Sequence, residues 1–444
     1  MSTNSTGTAQ EPAAPPTDPA PPKEPQRSLT HRLVSGSWLV SVLAVLVALL
    51  VGVILIAIAK SDEVAATSSY FFARPADLLH VLFDPYVAMI RGSIVDWQAA
   101  SAARMWRPLT ETLTNSVPLI LAGLGMAVAF RAGLFNIGGQ GQVVLGAIVS
   151  SFIGFAFNLL AGTYLVLMLL GAFVGGATVG FAFNLPGIHM VLAVLGAAVG
   201  GAVWAAIAGV LKAKAGANEV IVTIMLNSIA ALLIAYVLTL PVVIGQGNTN
   251  PKSQHVADTA AYPLLLGSGF RLHAGFLVAL AAAGAVWWLL ERSSIGFEFR
   301  AVGLNPAAAR TAGISVAKVT VLAMIVSGAL CGLAGSAPTL GTERFLTSGI
   351  AGSYGFDAIT VALLGKSRPG GVVAAGILFG ALKAGGTLMQ TATSTPIDIV
   401  LVLQSTIVLF IAAPPLVRAM FHLPEPGAPR RRRATATAVK EAQA

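Results

Sequence analysis

Long apolar runs separated by short polar or charged turns dominate this chain. The runs cover residues 37–59, 108–130, 143–157, 164–183, 188–211, 220–240, 274–290, 319–340, 356–364, 371–389 and 397–413. Most approach the ~20 residues that a helix needs to cross the hydrocarbon layer. A membrane β-barrel would instead show short strands of alternating polarity. The pattern predicts an all-α, polytopic helical membrane protein with about ten transmembrane helices, one of them broken or re-entrant.

The turns orient these helices. Basic residues follow the runs that end near 211, 290, 364 and 413: Lys212 and Lys214, the island 291–318, Lys366 and Arg368, then Arg418 and the run 430–433. All can lie on one face, and an excess of Lys and Arg marks the cytoplasmic side. Arg27, His31 and Arg32 before the first run put the N-terminus on that side as well. Three regions follow: 1–36, a disordered Pro-rich cytoplasmic tail; 37–416, the transmembrane domain; and 417–444, a basic cytoplasmic tail. No apolar stretch follows a basic start before Ser37, so a signal peptide is not expected. Residues 60–107 carry Tyr70, Phe71, Phe72, Trp97 and Trp106 and are expected outside, along the interface; 241–273 read as an external loop.

One stretch breaks the alternation. Between Arg131 and Lys212 lie three apolar segments where two cytoplasmic ends require an even number of crossings. Gly-Phe-Ala-Phe-Asn-Leu occurs at 154–159 and again at 180–185, so a local duplication accounts for an extra segment. The parity is restored if residues 133–146 are re-entrant or broken and do not count as a full span. Irregular backbone at that depth requires protein or a water-filled cavity around it.

Composition adds to this picture. The 444 residues are 56% hydrophobic and only 10% charged, against about 25% charged in soluble domains. The net charge of +9 follows from basic loops and tails and calls for no nucleic acid. The single cysteine, Cys331, excludes a disulfide within the chain.

Four groups of residues carry candidate chemistry. In residues 133–142, Gly133, Gly138, Gly139 and Gly141 loosen the helix, and Asn136, Gln140 and Gln142 bring neutral donors and acceptors. Such a segment can line a path for a polar, uncharged solute; interhelical hydrogen bonding by the same amides is the competing role. Asn227 and Gln404, each within a run, could serve in the same way. Glycines recur four residues apart at 171/175, 196/200, 328/332 and 376/380, which favours close helix packing. Asp357, Lys383 and Asp398 are ionisable groups in or near runs and should face the bundle interior or an interface. In the island, Asn305 is a good N-cap, Pro306 suits the first helical position, and Gly313 can end the helix. That short capped helix in water is a suitable handle for a soluble partner.

Other chemistry is missing. Gly365-Lys366-Ser367 resembles the end of a phosphate-binding loop, but Thr360 stands where the first glycine belongs and Pro369 interrupts the following helix. The six histidines are scattered without Cys partners, so no metal site is expected. No catalytic cluster is visible, and no enzyme activity is expected.

Four segments also carry a resemblance: FRAGLFNIGGQGQ (130–142), KAKAGANEVIVTIMLNSI (212–229), GFEFRAVGLNPAAARTAGI (296–314) and YGFDAITVALLGKSRPGGVVAAGILFGALKAGG (354–386). Together they resemble the membrane subunits of bacterial ABC importers of the nucleoside or simple-sugar type, related to branched-chain amino acid and ribose permeases. The resemblance covers residues 108–416. It implies alternating access, a second homologous permease subunit, a cytoplasmic ABC ATPase that binds the ATP, and an extracellular solute-binding (lipo)protein. The permease itself would bind no cofactor. The element that docks on the ATPase would be the cytoplasmic coupling helix at 305–313, with Arg300, Asn305, Pro306, Ala308, Ala309, Arg310 and Gly313 carrying that role. The long N-terminal tail and the second Gly-Phe-Ala-Phe-Asn-Leu depart from the family pattern. The solute would be a nucleoside or related neutral molecule. An ion-coupled secondary transporter, a sugar or amino acid permease and a membrane-embedded enzyme are the rival readings. The first of these needs mid-membrane carboxylates or histidines, which the spans scarcely offer.

The charge pattern makes a topological prediction. In a Cys331→Ala background, Lys212→Cys, Ser367→Cys and Ala428→Cys should all be shielded from an impermeant thiol reagent added outside. Labelling of Lys212→Cys from outside would refute the inward placement of that turn.

Overall fold

The computed structural model describes residues 37–156, 187–245 and 250–421. The expectations for tail residues 1–36 and 422–444, for the run 164–183, and for the second hexapeptide and the 171/175 glycine pair lie outside those residues. Among the described residues, sixteen α-helices and one π-helical turn follow in order: α1 Ser37–Ala59, α2 Ser61–Ser68, α3 Pro75–Ser93, α4 Ala102–Arg131, α5 Gly139–Ala156, α6 Ile188–Ala215, α7 Glu219–Val237, α8 Pro241–Ile244, α9 Gly275–Arg292, α10 Ser294–Leu304, α11 Pro306–Thr311, α12 Val316–Ser336 with the π turn Ala337–Thr342, α13 Tyr354–Leu364, α14 Pro369–Thr393, α15 Asp398–Ala412 and α16 Pro414–Met420. Among the described residues only two isolated β-bridges occur. The chain is all-α, as its pattern predicted.

Six of these helices are long and apolar enough to cross a membrane, and a seventh if α1 and α2, bent by 88°, form one span. Three shorter apolar helices lie at 139–155, 354–364 and 398–407. About ten apolar helical segments is therefore a fair description, but several are half-length.

The centre of the bundle is α4. Every residue from Ser116 to Ala129 is buried, and the largest apolar cluster is built around it. α6 and α12 cross where side chains are absent: a Cβ on Gly328 would strike the Gly201 carbonyl, and one on Gly332 would strike the Ala197 carbonyl. Small residues matter here because lipid gives no hydrophobic drive to associate, so close van der Waals contact must do it. The other described glycine pairs face neighbours in the same way, Gly196 and Gly200 against α5, and Gly376 and Gly380 against α4. α6 and α7 turn large apolar residues outward, among them Val203 and Leu232, as a lipid-facing surface requires.

The basic turns share one end of the bundle. Arg131 at the end of α4 donates to the Ser367 carbonyl (3.1 Å) and approaches Glu291 at the end of α9 (3.7 Å), which also approaches Arg300 of α10 (3.8 Å). Lys212 pairs with Glu219 across the α6–α7 turn. The opposite end carries the loop 250–274, whose backbone bonds to residues 340–346: Ser253 to Leu346 (2.9 Å), Val256 to Arg344 (2.8 Å) and Tyr262 to Leu340 (2.9 Å).

Two expectations change. The break falls in the predicted place, with residues 132–138 non-helical, but the broken segment does connect the two ends. α5 starts beside Met126 and Cys331, and in its last turn the Gly154 carbonyl accepts from Ala257 of the far loop. α6 then returns from that end, where His189 meets Ile153 and Thr259. Parity is satisfied by α5 and α6, and both described flanks of residues 157–186 lie at the far end. Second, residues 60–107 are not confined to an interface. α3 packs on α14, with Gly92 against Leu388 and Gly385, and the Tyr86 hydroxyl donates to Leu49 of α1 (2.7 Å).

The α6–α12 contact generates a test. Overpacking costs about 1–3 kcal/mol in an ordinary core, and here backbone opposes backbone. Gly328→Leu should abolish monodisperse protein in detergent, whereas Gly284→Ala, where an added Cβ meets nothing within 4 Å, should leave the yield unchanged.

Candidate functional site

The break between α4 and α5 is held by side-chain amides. A gap in a membrane helix leaves backbone groups without helical partners, and each would be costly in hydrocarbon. Asn136 Oδ1 accepts from the Gly138 amide (3.0 Å). Asn136 and Gln142 also pair reciprocally, each amide nitrogen donating to the other's oxygen at 3.0 Å, and Asn136 Nδ2 donates to Ser327 Oγ of α12 (2.9 Å). Asn227 of α7 accepts from the Gly141 amide (2.8 Å) and donates to the Ile137 carbonyl (3.0 Å). Gln140 accepts from the Gly355 amide (2.9 Å) and donates to the Gly352 carbonyl (2.7 Å).

The four predicted amides therefore converge, but each makes its hydrogen bonds within the protein. Asn136 and Gln142 are buried; Gln140 and Asn227 are half-buried. Gln140 joins two discontinuities: α5 and α13 both begin here, and their N-termini meet where a Cβ on Gly355 would touch the backbone of Gln140. From this junction α5 runs to the far end and α13 toward the basic end. Paired half-helix N-termini concentrate positive backbone dipole at one depth, an arrangement found in transporter binding sites. Gln404, the fifth candidate amide, is buried on α15, apart from this junction.

A polar chamber of about 190 Å³ reaches from the far end toward that junction. Arg271 sits at its rim between Glu111 (3.5 Å) and Glu343 (3.8 Å). Thr114, Asn115 and Thr342 line its walls, and Tyr354, the first residue of α13, lies at its inner side. Lys383 Nζ stands 4.3 Å from the centre of the Tyr354 ring, and Asp357 accepts from Ser353 Oγ (2.6 Å). Asp357 and Lys383 thus lie inward, as their cost in lipid demands. His273 also lines the chamber, stacked on Tyr262 with ring centres 5.3 Å apart. Its Nδ1 accepts from the Gly275 amide (3.2 Å), which leaves the proton on Nε2. Burial, with Arg271 adding to it, pushes His273 down to about 4, so the ring is neutral near pH 7. Sequence reading missed this chamber because its residues come from four separated segments, and Glu111, Asn115 and Arg271 have ordinary surroundings in the chain.

The island forms two helices rather than one. Ser293 caps α10, accepting from the Gly296 amide (2.9 Å), and Asn305 caps α11, accepting from Ala307 (3.0 Å) and Ala308 (3.1 Å). Gly313 takes φ +85 and closes α11 as expected. Pro306, Ala308 and Arg310 are exposed, as is Leu304 at 88%. Ala309 is buried and Arg300 is turned toward Glu291, so those two hold the island rather than face outward. The C-terminal end of α10 rests on the break: a Cβ on Gly303 would strike the Arg131 carbonyl, and one on Gly133 would lie 3.0 Å from Gly303 Cα. Among the described residues no group of His, Cys, Asp and Glu could hold a metal ion.

The amide network predicts a split between two variants. Asn136→Leu strands Gln142, Ser327 and the Gly138 amide, at about 1–3 kcal/mol for each buried group left unpaired, and should sharply lower the folded yield. Gln140→Leu, half-exposed at the helix junction, should keep the yield within about twofold. Equal yields for the two would show that the buried pair does not hold the break.

Comparison with known proteins shows what the chain is similar to. The family model described as branched-chain amino acid transport system / permease component matches residues 109–412. The chain is 37% identical over 309 residues to the guanosine ABC transporter permease protein NupP of Bacillus subtilis, covering 69% of this chain and 82% of that protein. It is 36% identical to the glucose ABC transporter permease protein TsgB13 of Haloferax volcanii, covering 68% and 75% respectively. It is 32% identical to the nucleoside ABC transporter permease protein NupB of Lactococcus lactis, covering 72% and 83%. No solved structure matches the chain.

Proposed function

The chain belongs to the branched-chain amino acid transport system permease family, and from that membership we propose that it imports nucleosides. It is the membrane subunit of an ATP-binding cassette importer, a multi-pass permease. Its relatives are named as ABC transporter permease proteins, and in this reading ATP is bound and hydrolysed by a separate cytoplasmic ATPase. An extracellular solute-binding protein delivers the solute, and a second permease subunit completes the membrane pair. The basic end of the bundle, with both termini, faces the cytoplasm.

The observation that carries this reading is the mechanical line from island to junction. α11 offers a capped, exposed surface to the ATPase, α10 lies against the 131–133 turn, and that turn enters the break whose Gln140 binds the start of α13. Displacement of the island therefore moves both half-helices together. The far-end chamber admits the solute, and the junction that Asn136, Gln140, Gln142 and Asn227 hold together by their internal hydrogen bonds lies on the path beneath it. Neutral amides suit that place because they hold the break together without a charge that would retain counter-ions beside a neutral solute. A glucose-type substrate is the second reading, supported by the Haloferax relative.

Transport assays test the assignment. Cells carrying the complete importer should take up labelled guanosine, competed by other nucleosides and not by glucose. Uptake should stop when the partner ATPase is inactivated and persist with a protonophore while ATP is maintained. Ala308→Glu, on the exposed face of α11, should reduce uptake by more than tenfold with normal permease in the membrane. Normal uptake by that variant would refute the docking role, and competition by glucose alone would replace the nucleoside reading.

A further inference from the structure

α6 and α12 remain in contact as far as Gly209, where an added Cβ would lie 3.2 Å from Val321 Cα. Toward the basic end, a groove of about 420 Å³ opens between them. The cause is local: Ala213 and Ala317 supply only methyl groups where the two helices face each other. Val210, Val321, Leu322 and Ile325 line the rest, so the groove is apolar. Lys214 and Lys318 border it, one near the end of α6 and the other near the start of α12. Both are exposed, and among the described residues neither forms an ion pair, in contrast to Lys212, which has Glu219.

We infer that this groove holds one anionic phospholipid, an acyl chain lying in it and the phosphate bound by Lys214 and Lys318. Two like charges beside one groove favour an anionic occupant over a neutral one. The groove lies on the perimeter of two membrane-spanning helices, where acyl chains are the surrounding solvent. A free phosphate would meet the lysines and leave the apolar walls unfilled. An extended peptide would bring backbone N–H and C=O groups that these walls cannot satisfy. A zwitterionic lipid would fill the groove, but its headgroup carries no net charge for the lysines. Basic residues at a membrane surface next to an apolar cleft are a recognised chemistry for anionic headgroups. The lipid would brace the start of α12, which follows α11 by four residues.

Native mass spectrometry of the full-length permease, titrated with phosphatidylglycerol or phosphatidylcholine in detergent, tests the site. The wild type should retain one phosphatidylglycerol per chain in preference to phosphatidylcholine. Lys214→Gln with Lys318→Gln should weaken that binding about 30-fold, roughly fivefold per lysine, with phosphatidylcholine unchanged. Ala317→Leu, which fills the groove and keeps both lysines, should remove the same lipid from a protein of unchanged elution profile. Four results would overturn the proposal. Phosphatidylglycerol could be retained equally by the double-lysine variant, or equally by Ala317→Leu. Glycerol phosphate could displace it as effectively as intact lipid does, which would make the site a phosphate site. Finally, Ala317→Cys chains in a Cys331→Ala background could form a disulfide with each other, which would show that a second copy covers the groove.

Discussion

A chain that breaks its helix inside a membrane must still satisfy every backbone polar group, and the centre of this protein is built around that requirement. Residues 132–138 leave the helix, and the resulting backbone donors and acceptors are met by Asn136 and Asn227. The amides do so without charge, which avoids the cost of burying an ion. The same constraint explains why α13 begins where it does: its second residue, Gly355, gives its amide proton to Gln140. Without that side chain, two helix N-termini would meet with orphan donors between them. The break is thus a structural joint whose hydrogen bonds come from three other helices, so it can shift only if those helices shift with it.

Around the joint, close packing replaces the hydrophobic effect. α12 lies between α5 and α6 with glycine at the crossing points, and α4 is buried along fourteen consecutive residues, Ser116 to Ala129. These contacts make α4, α6 and α12 a rigid frame. The parts that differ are short: α5, α10, α11 and α13 are half-length or surface helices, joined through Gly133, Gly303 and Gly355. The frame carries a train of short helices from the basic end to the joint, in contact where Gly303 meets Arg131 and Gly355 meets Gln140.

Local signals in the chain carried far. The apolar runs identified the spans, the four glycines and three amides identified the break, and Asn305, Pro306 and Gly313 identified α11 within a residue at its end. Each is a short-range rule: hydropathy, capping, loss of helix propensity. The second island helix, α10, was not anticipated, although Ser293 caps it three residues before Gly296. The amphipathic α3 was assigned to an interface, because nothing local reveals that Gly92 has Gly385 to rest against.

What the sequence by itself determined was therefore the fold class, the position of the break, the island and the shared side of the basic turns, since all follow from transfer energies and local backbone preferences. Tertiary structure decided the rest. The direction of α5, and so the crossing parity, depended on Gly154 reaching Ala257, more than a hundred residues away along the chain. Whether Asn136 faced a path or a partner depended on Gln142 and Ser327 standing beside it. The chamber existed only once Glu111, Arg271, His273 and Glu343 were brought to one end of the bundle. Those are relations between distant segments, set by which helices pack together, and a local pattern holds no record of them.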